Sequence, residues 1–206
     1  KNMNPWNKFF KEKMEKICNE KKSIIDIGGG LRVFKEKGNR YDKKQEWLLL
    51  LLEKIDYKIL DKTNDYNPDI TGDIHNLPFP DNSQDAVICI SVLEHVEDPV
   101  KAAKEIFRVL KTGGYCFVYV PFLFYYHAEK GYYKDYWRFT KDSIDLLFKD
   151  FSTTEKQNVR GAIATWLRNS PLGRINAVSW LADVSDRVIG KTTTNQTSGY
   201  SVFLIK

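Results

Sequence analysis

Three histidines, His75, His95 and His127, supply the side chains of this 206-residue chain best suited to exchange a proton near neutral pH. His127 lies in a stretch dense in aromatic rings, with Asp135 a little further on. That makes His127 the candidate general base, with Asp135 either orienting it or acting itself. His95 directly follows Glu94 and is the second candidate, while His75 reads as a loop residue. A different chemistry is offered by Ser23-Ile24-Ile25-Asp26-Ile27-Gly28-Gly29-Gly30. There an apolar run ends in glycines, where the backbone can turn sharply and approach a ligand because no Cβ stands in the way. Three cysteines, Cys18, Cys89 and Cys116, have no metal-type spacing, so neither a metal site nor a disulfide is expected.

Positioning these residues requires a sheet. Ile24, Ile25 and Ile27 read as a strand buried on both faces, as in the middle of a parallel sheet. Glycines at its carboxyl end belong to the ligand crevice of a doubly wound α/β fold. Residues 5 to 20 read as a helix, with Trp6, Phe9, Phe10, Met14 and Ile17 on one face. After a polar loop at 35 to 40, Asp42 is placed to cap a leucine-rich helix, for which a buried strand is the competing reading. Tyr57 to Leu60 reads as a strand ending at Asp61, an acid placed to accept from both hydroxyls of a ribose or merely to cap a loop.

Further strands are expected over 86–90, 115–120, 151–159 and 200–205. Asp98-Pro99 opens a helix that Lys111-Thr112-Gly113-Gly114 should close with a glycine cap, and Thr140 caps another through Phe148. Residues 162 to 189 read as apolar helix broken near Ser170-Pro171, its Trp166, Ile175, Trp180 and Leu181 forming core, a dimer surface or a membrane-facing side. The aromatic stretch from Phe122 to Thr140 leaves the sheet at its ligand edge and reads as an acceptor pocket or lid, or else as a plug of core.

Composition agrees with one globular domain: 42% apolar residues, 29% charged and a net charge of +5. Much of the basic excess lies in the first 22 residues and reads as a solvated helix face. No basic stripe with interleaved aromatics points to nucleic acid, and no apolar run approaches the ~20 residues needed to cross a bilayer. Free cysteines suit a cytoplasmic protein, and a first residue of Lys suggests a truncated start.

The stretch Gly72-Asp73-Ile74-His75-Asn76-Leu77-Pro78-Phe79, followed by a strand and Leu93-Glu94-His95-Val96, resembles class I S-adenosylmethionine-dependent methyltransferases. The likeness covers roughly residues 23 to 122. It implies a single Rossmann-like domain with a mostly parallel seven-stranded sheet, an antiparallel last strand and helices on both faces. Residues 1–22 would be an N-terminal helix, 23–122 the cofactor core, 123–140 the acceptor segment and 141–206 the rest of the sheet and its helices. By this resemblance Asp26, Gly28, Gly29 and Gly30 shape the pocket for the methionine part of the cofactor. Asp61 holds the ribose, Asp73 accepts from the adenine amino group, Ile74 packs on that ring, and Ser91, Glu94 and His95 border the pocket. Arg32 stands where the family's third loop glycine falls, and either reaches the cofactor's carboxylate or points to solvent. The string Asp135-Tyr136-Trp137-Arg138-Phe139-Thr140 is similar to methyltransferases associated with cell-surface polysaccharide synthesis.

The expected activity is methyl transfer to a small molecule, an oxygen nucleophile on a sugar or glycan precursor. A quinone-like or lipid-linked acceptor, or a catalytically silent cofactor-binding scaffold, are the alternatives. A nicotinamide dehydrogenase is disfavoured, because the sixth place of its glycine fingerprint falls on Val33. The partners expected are a small acceptor and a second copy of the chain, with neither nucleic acid nor stable membrane insertion.

Overall fold

Alternation of side chains across successive residues explains the layers. Ile25 and Ile27 of β1 (Ser23–Ile27) enter one core and Ile24 the other, so this strand is buried on both sides. The computed structural model describes residues 3–35, 41–171 and 175–206. Their sheet has the order β3-β2-β1-β4-β5-β7-β6, built from β2 (Asp56–Asp61), β3 (Ile70–Thr71), β4 (Gln84–Ile90), β5 (Leu110–Pro121), β6 (Thr153–Val159) and β7 (Gly199–Ile205). Six strands run parallel and β7 inserts antiparallel between β5 and β6. The order reverses between β1 and β4, which opens a crevice at the carboxyl ends of those two strands.

On one face α1 (Pro5–Glu20), α2 (Leu49–Leu52) and the 3₁₀ turn before it bury Met14, Ile17, Leu52 and Leu48 against Ile24, Ile88 and Phe117. The leucine run is therefore helical. Asp42 accepts from Lys44 N (3.0 Å) at the 3₁₀ turn Lys43–Leu48 that leads into it. The opposite face is covered by α3 (Pro99–Val109) and α4 (Lys141–Leu147), whose Ala102, Ala103, Ile106 and Ile144 pack on Val87, Cys89, Val118 and Val202. Asp98 and Thr140 cap them as their sequence predicts.

Two local expectations change. Lys111 to Gly114 do not cap α3, because the chain passes at Leu110 directly into β5. Leu110 pairs with Gln84 and Tyr115 with Ala86, so the intervening residues bulge out of the ladder, and Gly113 takes φ +74° to make the bend. The apolar residues of α5 (Ala162–Arg168) and α6 (Asn176–Val188) are not simply core either. Trp166, Ile175, Trp180 and Leu181 are exposed, while Ala164 and Ala182 are buried. The polar loop expected at 35 to 40 lies outside the described residues beyond Lys35, as do residues 172–174. Among the described residues no helix is long and apolar enough to cross a membrane, and all three cysteines are free.

Candidate active site

The glycine loop is held by a buried acid. Asp26, fully buried, accepts from Gly30 N and Leu31 N at 3.0 Å each and from the Tyr57 hydroxyl at 2.6 Å. Its carboxylate thus fixes the turn rather than facing the cleft. Burial and the Asp26 charge push the Tyr57 phenol well above its ordinary pKa, which keeps it a hydrogen-bond donor. Gly28 and Gly29 sit at φ +77° and +61°, and a Cβ on Gly28 would lie 2.7 Å from Val92 Cγ2. On Gly30 a Cβ would meet Ile90, at 2.6 Å from its Cβ, so close packing explains that glycine. Arg32, in the position of the family's third glycine, keeps a left-handed φ of +54°.

Gly28, Gly29, Arg32, Val33, Phe34, Ile59, Asp61, Tyr66 and Pro68 line a cleft at the β1 and β2 ends. Asp61, at the end of β2, accepts from Thr63 N at 3.2 Å and faces this cleft. Asp73 and Ile74 do not line it. Asp73 accepts from His75 N (2.9 Å) and lies 2.7 Å from His75 Nδ1 and 3.1 Å from Lys62 Nζ, contacts that overcome its partial burial and hold its carboxyl down to about 2. Ile74 is buried in the core with Leu77 and Ala102.

At the end of β4 the backbone is strained. Ser91 takes φ +54° and donates its N–H to the Tyr119 carbonyl. The turn delivers Glu94, 1% exposed, to the floor of a second group of residues. Its Oε1 lies 3.8 Å from His95 Nε2 and 3.7 Å from His127 Nε2, and its Oε2 has no hydrogen-bond partner. The two imidazoles meet edge to face at 4.8 Å. The Glu94 carboxylate raises His127 above the ordinary imidazole value, whereas burial lowers His95. Asp135 accepts from His127 N (2.7 Å) and is gripped by both terminal nitrogens of Arg138 at 2.6 and 2.8 Å. Arg138 holds that carboxyl down to about 2, so Asp135 orients the loop and is no proton acceptor near neutrality.

The aromatic segment reaches the edge of the cleft at Tyr66. Tyr132 packs on Tyr66 of the cleft wall at 5.8 Å, Tyr133 lies 4.2 Å from the His95 ring, and Tyr136 N and Trp137 N donate to the Glu94 carbonyl. Only Phe139 of the segment is deeply buried, whereas Tyr125, Tyr126, Tyr132, Tyr136 and Trp137 are exposed. Beyond His127, Phe124 stacks edge to face on it at 5.1 Å, and the Arg168 guanidinium lies over Phe124 at 5.3 Å. Arg168 Nε is buried without a partner, and Arg160, at φ +66°, is pulled below the usual guanidinium value by burial and by Arg168's charge. Neither arginine stands in a sequence motif; only the fold of β6 and α5 brings them here.

Residues 52–118 match a family model described as a methyltransferase domain. Relatives include an uncharacterized methyltransferase of Schizosaccharomyces pombe, 54% identical over 44 residues, covering 21% of this chain and 16% of that protein. Another is the ubiquinone/menaquinone biosynthesis C-methyltransferase of Vibrio cholerae, 32% identical over 108 residues, 44% of this chain and 38% of that protein. A crystal structure of a SAM-dependent methyltransferase from Archaeoglobus fulgidus superposes with a TM-score of 0.59 at 12% identity, over 97% of this chain and 94% of that one. Residues 52–118 thus carry methyltransferase-domain sequence, within a chain whose fold is that of class I S-adenosylmethionine-dependent methyltransferases. The chain spans less than half the length of these curated relatives.

This methyltransferase domain fits its cofactor by its own geometry. Two left-handed glycines leave the cleft floor bare of side chains, and an acid stands at the β2 end. The ribose is expected to bind at Asp61, while Arg32, exposed on the same cleft, is placed either to reach the cofactor's carboxylate or to point to solvent. Asp61→Ala should then weaken S-adenosylhomocysteine binding by about 1–3 kcal/mol, the scale of charged hydrogen bonds. Calorimetric titration reads this directly, and unchanged affinity would move the ribose elsewhere.

Proposed function

We propose that this chain transfers the methyl group of S-adenosylmethionine to an oxygen nucleophile on a small ring-bearing acceptor. A sugar or glycan precursor that also carries an anionic group fits best. The observation that carries the reading is the buried Glu94 carboxylate facing His127 beneath an aromatic segment at the edge of the cofactor cleft. The bound cofactor supplies a sulfonium methyl that is already a strong electrophile, so alignment and water exclusion are what the protein adds.

His127 Nδ1 lies 3.2 Å from the Tyr125 carbonyl oxygen and from Asp135 Oδ2, both acceptors, so this nitrogen carries the proton of a neutral ring. Nε2 is then the basic atom that takes the acceptor's proton, and Glu94 stabilises the resulting charge. Exposed Tyr125, Tyr126 and Trp137 offer flat surfaces on which a sugar or planar ring stacks. Arg160 and Arg168, beyond Phe124, suit a carboxylate or phosphate on the same molecule. A carbon acceptor is the second reading, favoured by the Vibrio cholerae relative, a ubiquinone/menaquinone biosynthesis C-methyltransferase.

The test is transfer from labelled cofactor to uronic acids, sugar phosphates, neutral sugars and quinols. Anionic sugars should be methylated, with Arg168→Ala raising their KM by ~10–100-fold at near-constant kcat, as expected for losing a charged hydrogen bond. Transfer to quinols alone would select the carbon reading. Cofactor binding without transfer to any acceptor would favour a silent scaffold.

A further inference from the structure

Hydrogen bonding alone leaves the Glu94, His95 and His127 cluster unsatisfied. His95 Nδ1 lies 2.7 Å from the Lys134 carbonyl, and His127 Nδ1 faces the Tyr125 carbonyl and Asp135. Acceptors at those distances place an N–H on each Nδ1, which leaves a bare lone pair at each Nε2 of the neutral rings. Both Nε2 atoms lie near the same Glu94 Oε1, at 3.8 and 3.7 Å, beyond hydrogen-bond reach. The carboxylate is 1% exposed and its second oxygen has no partner. Three electron-rich atoms thus converge within 4.8 Å around a buried negative charge, an arrangement that a cation resolves.

We propose that Glu94, His95 and His127 bind a divalent first-row transition-metal ion through the two Nε2 atoms and the carboxylate. Two imidazoles with one carboxylate suit zinc, manganese or iron better than magnesium or calcium. Ligands on a tetrahedral ion at ~2.0–2.1 Å lie ~3.3 Å apart, so the Nε2–Oε1 separations of 3.7 and 3.8 Å need to close by a few tenths of an ångström, and the two imidazoles, with all three ligand atoms within 4.8 Å of one another, must also draw together on the ion. Each histidine already has the outer support that metal ligands characteristically have, its other ring nitrogen held by a carbonyl or a carboxylate. Three protein ligands leave positions open. The inference rests on the methyl-transfer reading for what fills them, namely the acceptor's oxygen, whose proton the ion renders acidic enough to leave to solvent. With the ion bound His127 is a ligand and the ionised acceptor needs no base, whereas in the metal-free protein its Nε2 remains the proton acceptor. Sequence spacing concealed the group, because His127 lies far along the chain from Glu94 and His95.

The experiment titrates chelator-treated protein with Co²⁺, read by visible absorption, and with Zn²⁺, read by calorimetry. One ion per chain is expected at micromolar or tighter affinity. His95→Ala and His127→Ala should each weaken uptake by more than the ~10–100-fold that losing a supporting group costs. Glu94→Gln should do likewise. Circular dichroism checks each fold, and the two histidine variants suffice if Glu94→Gln does not fold. No uptake at millimolar Zn²⁺, or equal uptake by wild type and both histidine variants, overturns the site. S-adenosylhomocysteine titration of the same metal-free wild-type protein reports separately on the methyltransferase reading, since its failure would leave ion uptake unchanged.

Discussion

Gly28→Val abolishes cofactor binding while the sheet still forms. At φ +77° a β-branched residue is strained by about 1–3 kcal/mol, and its Cβ would sit 2.7 Å from Val92 Cγ2. Neither neighbour yields easily, because Gly28 N is tied to the Leu60 carbonyl at 2.7 Å and Val92 starts the turn that carries Glu94. The loop therefore rises into the cleft it lines. S-adenosylhomocysteine affinity should fall more than ~100-fold, the equivalent of about 3 kcal/mol. The melting temperature should drop by several degrees, at about 2–4 °C per kcal/mol for a chain of this size. Calorimetry with far-ultraviolet circular dichroism reads both. A folded variant that keeps its affinity would remove Gly28 from the cofactor floor.

His127→Ala should lower turnover by ~10²–10⁴-fold, the range for losing a positioned acid or base, with cofactor affinity near wild type. The separation follows from geometry: His127 touches Glu94, His95, Phe124 and the backbone of its own segment, and is not among the residues lining the cofactor cleft. Its ring is partly exposed, so truncation leaves no large void. Single-turnover transfer from labelled cofactor is the measurement, because slow product release would mask the chemical step. Wild-type single-turnover rates in the variant would exclude His127 from the reaction.

Much of this architecture is legible in the chain because it is encoded locally. Ile24, Ile25 and Ile27 before three glycines, Asp98 before Pro99 and Thr140 before its helix each act within a few residues, and the structure places each as the pattern predicts. Lys111 to Gly114 misled because a glycine turn after a helix serves a cap or a bulge equally, and only pairing with β4 and β7 selects the bulge. The reactive end was less legible. Glu94 and His127 become neighbours only when β4 and β5 align in the sheet and the segment after β5 folds back over Glu94, so no spacing announces them. Arg160 and Arg168 depend likewise on β6 lying at the far edge of the sheet.

The peptide carbonyl of Glu94 holds the aromatic segment through Tyr136 N and Trp137 N, at 2.8 and 3.2 Å, while its side chain faces both histidines. One residue therefore both pins the segment and faces the proposed base. If the segment swings away to exchange acceptor for product, those two bonds break and His127, carried on the same segment, leaves Glu94. The open form has no assembled centre with which to spend the cofactor on water. Exchange and chemistry then exclude one another in time, and loosening the Tyr136–Trp137 stretch should lower productive turnover without raising loss of the methyl group to water.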